Sequence, residues 1–384
     1  MSIAAIGIAP VHARVVAPIA RRHRERLTLA SSASRFDSVP AASTLGFALR
    51  ARRRSAARRP SSRHVRADAV TSSSASSKTE SGGNTTLVVA GAVAVCAIAA
   101  THASGSAIAR AGGSAVLGCL LALVGYKKKS LDASGAIAAI GVGFGSIYAD
   151  ARFGAALAAF FFTSSAVTRV RSDVKRRVDE HFKVGGGRDW VQVFANGFVP
   201  TMIALAYAFG ATGSNAGAMA SAYLGYYACC GGDTWASELG VLSTSKPRLI
   251  TNWTREVDAG TNGGVTALGW VASASGGAAV GAAFHLVQVI LRTFAPNGSV
   301  RFAPSSALEL IVFGAVAGVF GSLVDSVLGA TIQFSGWCSA RQKVVSKPGP
   351  SVERISGLEI LSNSAVNLVS GIVTAVVAAV FFPL

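Results

Sequence analysis

Charge is scarce in this sequence. Of its 384 residues only 14% are Asp, Glu, Lys or Arg, against 51% hydrophobic. Soluble domains carry about a quarter charged residues, so an ordinary soluble fold is excluded. No CxxC spacing occurs among the five cysteines (Cys96, Cys119, Cys229, Cys230, Cys338), which removes the usual zinc and disulfide frameworks. They lie in or beside apolar segments and read as small core hydrophobes. Histidine is equally uninformative: His12, His23 and His64 fall near the N-terminus, and His102, His181 and His285 are scattered. A secretory h-region is missing too, because Pro10, His12, Arg14 and Pro18 interrupt the first twenty residues. No fixed-period repeat is visible.

Acids are few beside the arginines in residues 1–68, where fourteen arginines meet only Glu25, Asp37 and Asp68. This accounts for most of the net charge of +18 and has the Arg/Ser-rich, acid-poor composition of an organelle transit peptide. A polar spacer at 71–77 continues it. Because the basic excess sits in this tail and not on a folded face, no nucleic-acid partner is expected. The division expected is therefore 1–80 as disordered transit peptide and flexible spacer, and 87–384 as an integral membrane catalytic domain.

Long apolar runs occupy roughly 87–103, 112–126, 133–149, 153–168, 191–210, 215–231, 264–291, 307–332 and 364–382. The fold class expected is all-α, a polytopic membrane helix bundle of about eight or nine transmembrane helices. Assigning the loops to alternate sides puts seventeen Lys and Arg on one side (127–129, 169–188, 246–255 and 341–354). The other side takes only Arg110, Arg152, Arg292 and Arg301. Such an imbalance is a positive-inside signal and places the loop after the sixth run on the stromal or cytosolic side.

That loop, 231–266, gathers most of the usable chemistry. Wound as a helix, Asp233, Thr234, Ser237 and Glu238 share one side, spread over about 140°. Lys246 and Arg248 follow, then Thr261, Asn262, Gly263 and Gly264 in a small-residue turn rich in N–H groups. Carboxylates for a metal, cations and a glycine loop suit phosphoryl transfer. A solvated inter-helix loop with a capping aspartate is the plainer alternative.

Polar groups within the apolar runs are costly and tend to mark function. Asp325 shares a helical stripe with Ser322, Ser326, Gln333 and several glycines, where the hydroxyls also suit plain helix packing. Gln192 and Asn196, Asn363 and Asn367, and Asp132 sit near the basic end of their runs, where caps and interhelical bonds compete with ligand binding. The basic loop 169–190 has the makings of an amphipathic surface helix, and its 185–187 glycines with Arg188 form only a weak phosphate pattern.

The segments GDTWASELG, SKPRLIT, GTNGGVT, GSLVDSVLGATIQ, KKKSLDASGA and WVQVFANGFVP resemble the motifs of the integral-membrane family that includes transmembrane protein 19. Its plastid members include the phytyl-phosphate kinase of tocopherol and phylloquinone synthesis. The match runs from about residue 113 to the C-terminus, loosest at 361–371. The same block is distantly similar to the GD-x-x-A-x-x-x-G…K…GT pattern of CTP-dependent polyprenol kinases and cytidylyltransferases.

The resemblance implies a chloroplast multi-pass membrane kinase that converts phytyl phosphate to phytyl diphosphate with a nucleoside triphosphate, CTP first among them, and Mg²⁺. It implies Asp233 and Glu238 as metal ligands, Lys246 and Arg248 as phosphate clamps and Asp325 as a further catalytic acid. Thr261, Asn262, Gly263 and Gly264 would form a phosphate-binding loop, and Asn196, Asn367 and Asp132, singled out by their place at the basic ends of their runs, are further candidates to contact nucleotide or phosphate. A CDP-lipid-forming cytidylyltransferase, a polyprenol kinase and a membrane transporter are the alternatives.

Overall fold

The computed structural model describes residues 73–103, 106–178, 185–210, 212, 214–294 and 305–384; the Arg-rich stretch read as a transit peptide lies outside the described residues. Helix α1 spans Ser73–Ala103 and so begins inside the stretch read as spacer. After it come α2 (Ala107–Lys127), α3 (Ala133–Ala149), α4 (Ala151–Arg169), a short α5 (Ser172–Val178) and α6 (Trp190–Gly210). Helix α7 (Ser214–Gly240) leads into strands β1 (Arg248–Leu249), β2 (Asn252–Glu256) and β3 (Gly264–Val265). Helices α8 (Ala267–Phe294) and α9 (Ala307–Ile332) follow, then β4 (Ser335–Cys338), β5 (Lys343–Val345), β6 (Val352–Ser356) and α10 (Asn363–Phe381).

The protein is a polytopic helical membrane protein: among the described residues, seven helices are long and apolar enough to cross a bilayer. Each of the nine apolar runs forms a helix, but two fall outside those seven. Helix α3 has only 17 residues. Helix α7 runs through the middle of the bundle, and its small, hydroxyl and acidic residues keep it less apolar than a lipid-facing helix. Its Tyr223, Leu224, Tyr226 and Tyr227 are fully buried among α4, α8, α9 and α10.

Helices α7, α8 and α9 approach closely because glycines line their contacts. A Cβ on Gly277 would run into the Gly314 carbonyl, and one on Gly232 into the backbone of Gly318. In lipid, where tails are as apolar as leucine, such close backbone contact supplies much of the packing attraction.

The loops counted as basic converge at one end. Gly187 N–H donates to the Lys129 carbonyl, Leu131 pairs with Arg188, and α5 rests on β5. Two three-stranded antiparallel sheets sit there, ordered β2–β1–β3 and β5–β4–β6. Each joins two helices, α7 to α8 and α9 to α10, with its first strand in the middle. Asp233 and Asp325 each lie about two turns before the end of the helix that enters its sheet. This helix–sheet–helix unit occurs twice without a sequence period, since the two sheets differ in strand length and spacing.

Candidate functional site at the basic end

Beneath the sheets a cavity of about 1080 Å³ opens toward the basic end. Helices α6, α7, α8, α9 and the start of α10 form its walls, and α5 with the 185–189 turn covers one side.

One wall is acidic. Asp233 on α7 and Asp325 on α9 are half-buried and near enough to feel each other's charge. Their partners are neutral: Ser322 hydrogen-bonds Asp233, and Ser370 Oγ donates to Asp325 Oδ2 at 3.3 Å. The Asn367 amide, turned as its neighbours require, donates to the same Asp325 oxygen at 3.3 Å and to the Asn363 carbonyl at 2.9 Å. Gln333 Nε2 meets Asn363 Oδ1 at 3.3 Å behind it. No cation pairs with either aspartate among the described residues. Two adjacent carboxylates held only by hydroxyls and an amide retain their mutual repulsion, and a divalent cation between them would relieve it. Hard oxygen donors suit Mg²⁺, which takes one or two carboxylates and fills its octahedron with water and phosphate oxygens. Among the described residues no cluster of three acids, histidines or cysteines is placed to hold an ion alone. The pair therefore fits a metal that arrives with a polyphosphate.

Cations line the same cavity. Lys175 Nζ on α5 lies 2.7 Å from Glu238 Oε2 and also donates to the Val167 carbonyl at 2.7 Å. Burial pulls its pKa down, and Glu238 holds it up. Arg188 also lines the cavity; burial lowers its pKa, and Glu238 works against that shift. Its Nη1 donates to Ser165 Oγ at 3.1 Å. Lys347 is exposed at the rim.

The residues singled out from sequence thus fall into groups. Asp233, Glu238, Asp325, Asn196, Asn367 and the 261–264 turn line the one cavity. The two acids read as a pair separate: Asp233 turns to Asp325, and Glu238 to Lys175. Asn196 receives a long contact from the Cys230 thiol at 3.8 Å.

The glycine turn spends most of its donors on protein. Thr261 N–H reaches the Asp258 carbonyl, Asn262 N–H the Ser335 hydroxyl and Gly264 N–H the Thr261 carbonyl. Asn262 Nδ2 donates to the Phe334 carbonyl at 3.1 Å, tying the first sheet's loop to the second sheet. Gly263 adopts φ of +77° against Ala330 and Ser326 of α9, a conformation and a contact that exclude any larger side chain.

Three residues lie elsewhere. Lys246 is exposed outside the cavity wall. Arg248 is exposed as well, engaged with Glu256 at 3.4 Å and the Trp253 carbonyl at 2.8 Å. Asp132 caps α3, accepting from Gly135 N–H at 2.8 Å and from Ser134 Oγ at 2.7 Å. Gln192 likewise completes a reciprocal cap with Asp189 at the start of α6.

Sequence reasoning missed Lys175 and Lys347 and gave Arg188 little weight. The only early sign for Arg188 was the three-glycine run before it, whose φ values are all positive and turn the chain back toward Lys129.

The fold and cavity define a class: a multi-pass helical membrane protein with a polar chamber at one membrane face. The family described as integral membrane protein DUF92 matches residues 116–375, and the chain belongs to that family. Protein PGR of Arabidopsis thaliana is 45% identical over 272 residues, covering 68% of this chain and 92% of that one. An uncharacterized membrane protein of Methanocaldococcus jannaschii is 28% identical over 267 residues, covering 69% and 91%. An uncharacterized membrane protein of Synechocystis is 29% identical over 175 residues, covering 46% and 61%. No solved structure matches the chain.

Proposed function

We propose that the protein is an isoprenoid-phosphate kinase of a plastid membrane, converting phytyl phosphate to phytyl diphosphate with a nucleoside triphosphate, CTP first among the candidates. The observation that carries this reading is the cavity at the basic end, which holds cations together with an aspartate pair that has no counter-ion among the described residues. Asp233 and Asp325 would hold Mg²⁺ on the nucleotide, with Glu238 kept by Lys175. The ion would neutralise charge on the polyphosphate.

The acceptor needs little help to become a nucleophile. The second pKa of a phosphate monoester is about 6, so near neutral pH most of it is already a dianion. One of its oxygens forms the new bond to the γ-phosphorus. The bond from that phosphorus to the β,γ-bridging oxygen breaks, and its electron pair leaves with the nucleoside diphosphate. No proton has to move. The work left to the protein is to bring two polyanions together in line and screen their repulsion. A hydroxyl acceptor would call for a general base, and among the described residues no histidine lines the cavity.

Membranes bearing the full chain, given phytyl phosphate, Mg²⁺ and each nucleotide in turn, should yield phytyl diphosphate. Pyrophosphate release with a CDP-lipid product would instead mark a cytidylyltransferase, and nucleotide-independent solute flux in liposomes a transporter. The plastid address rests on the Arg-rich tail: residues 1–80 fused to a fluorescent reporter should direct it to plastids. Confinement to the cytosol or mitochondria would refute that address.

A further inference from the structure

Resting on the kinase reading, we infer that Arg188 is the residue that receives the acceptor's phosphate, with the lipid phosphate bound at this arginine and the nucleotide at the aspartate pair of the same cavity. A nucleotide carries its own Mg²⁺ to the two aspartates, but a lipid monophosphate brings no metal. Its charge must be met by the protein, and beside two carboxylates a cationic side chain offsets it most directly.

Among the described residues, elimination among the cations near the cavity leaves one. Lys175 is held by Glu238 and two backbone carbonyls, those of Val167 and Thr168. Arg169 is spent on the Lys128 and Ser165 carbonyls and the Ser130 hydroxyl, and does not line the cavity. Lys246 and Arg248 are outside it, and Lys347 is exposed at its rim. Arg188 is half-buried in the wall, has no carboxylate at ion-pair distance among the described residues, and gives one hydrogen bond, to a neutral hydroxyl. That bond fixes one end of the guanidinium and leaves the other donors of the planar fork for a phosphate.

Its backbone is pinned where a lipid head group would sit. Arg188 N–H donates to the Ser130 carbonyl, and the Arg188 carbonyl accepts from Asp132 N–H at 3.0 Å. Asp132 in turn caps α3, so a residue read from sequence as a candidate phosphate contact acts here by positioning Arg188. Two residues after Arg188, α6 enters the bundle, and its Asn196 lines the same cavity.

The test is equilibrium binding to the purified full chain without nucleotide, using phytyl phosphate and, as the uncharged arm, phytol. The wild type should prefer the phosphate. Arg188→Gln should weaken phosphate binding roughly 10- to 100-fold, as loss of a charge-assisted pair does, and leave phytol binding unchanged. Lys128→Gln, removing an exposed charge on the same face, should change neither. In turnover, Arg188→Gln should raise KM for the lipid phosphate and leave KM for the nucleotide. Unaltered phosphate binding in Arg188→Gln, or a loss that falls on the nucleotide instead, would overturn the assignment.

Should Arg188→Gln fail to fold, Arg188→Lys decides. It must keep a preference for phosphate over phytol, and equal affinity for the two lipids would refute the clamp. Phosphate-selective binding with no diphosphate formed would sink the kinase reading and leave Arg188 in place. Full turnover with an unchanged lipid KM in Arg188→Gln would do the reverse.

Discussion

Asp150 and Asp325 are both carboxylates within one helix bundle, at opposite ends of it. Asp150, between α3 and α4, is 7% exposed and lies 2.7 Å from the guanidinium of Arg152, itself 1% exposed. Tyr207 adds a hydroxyl donor at 3.3 Å, and Arg152 also lies over the Phe284 ring. Charge there is cancelled within the protein. Asp325 faces Asp233 instead, with a serine and an asparagine for partners. A buried charge with its counter-ion already in place has a structural explanation; two like charges without one among the described residues have none within the protein and mark a candidate site for a ligand that would supply it. The comparison therefore separates the acids by partner and not by burial.

The largest expected effect is on the unpaired acids. Asp325→Asn and Asp233→Asn should each cut phytyl diphosphate formation on the order of 10³-fold, the loss of several kcal/mol of transition-state stabilisation. The folded yield should hold, because the amide keeps size and hydrogen bonding and removes like-charge repulsion. Near-normal turnover in either variant at matched protein level would remove the pair from the site.

At the other end the same chemical change should act on stability. Asp150→Asn leaves Arg152 buried without its counter-ion, a loss of about 3 to 5 kcal/mol when a buried pair is broken. Thermal unfolding in detergent should move down, while turnover per folded molecule stays near wild type. A large drop in turnover at unchanged stability would erase the distinction between the two ends.

Glu238 is the intermediate case. Glu238→Gln removes the partner of Lys175, whose ammonium keeps the Val167 and Thr168 carbonyls. A cost of about 1 to 3 kcal/mol in stability is expected, that of a half-satisfied buried charge, with turnover lowered by about tenfold at most. A loss matching the aspartates would make Glu238 a metal ligand after all.

Topology tests which end is which. A single cysteine at Thr254, on the fully exposed β2, should react only with reagent admitted to the stromal side, if the basic loops face the stroma. Labelling from the other side of sealed vesicles would invert the orientation and take the nucleotide site with it.

Much of the fold was legible because hydropathy is local. Each of the nine apolar runs became a helix, and the basic loops met at one end. Cavity membership was partly legible as well, since Asp233, Glu238, Asn196, Asn367 and the 261–264 turn were read from polar groups placed against an apolar background. Partnership was not. Spacing along one helix put Asp233 beside Glu238, whereas the partner each takes comes from another element, α9 for Asp233 and α5 for Glu238. Caps were read only as one of two options: Asp132 and Gln192 serve helix starts, and the sequence signature of a cap is the same polar residue that a binding site uses.

The smallest expected effect falls on Arg248, where resemblance and geometry disagree most. Resemblance makes it a phosphate clamp, and the loss of such a contact would raise a substrate KM roughly 10- to 100-fold. The geometry puts it on β1 outside the cavity, exposed and engaged with Glu256 and the Trp253 carbonyl. Exposed pairs contribute about 1 kcal/mol at most, and surface changes away from special features lie within about 0.5 kcal/mol. Arg248→Gln should therefore leave both KM values and thermal unfolding close to wild type, with Arg188→Gln run beside it as the positive comparison. A raised nucleotide KM in Arg248→Gln alone would mean that the first sheet folds down over the cavity when nucleotide binds. Equal KM values in both variants and the wild type would remove arginine from phosphate recognition at this site.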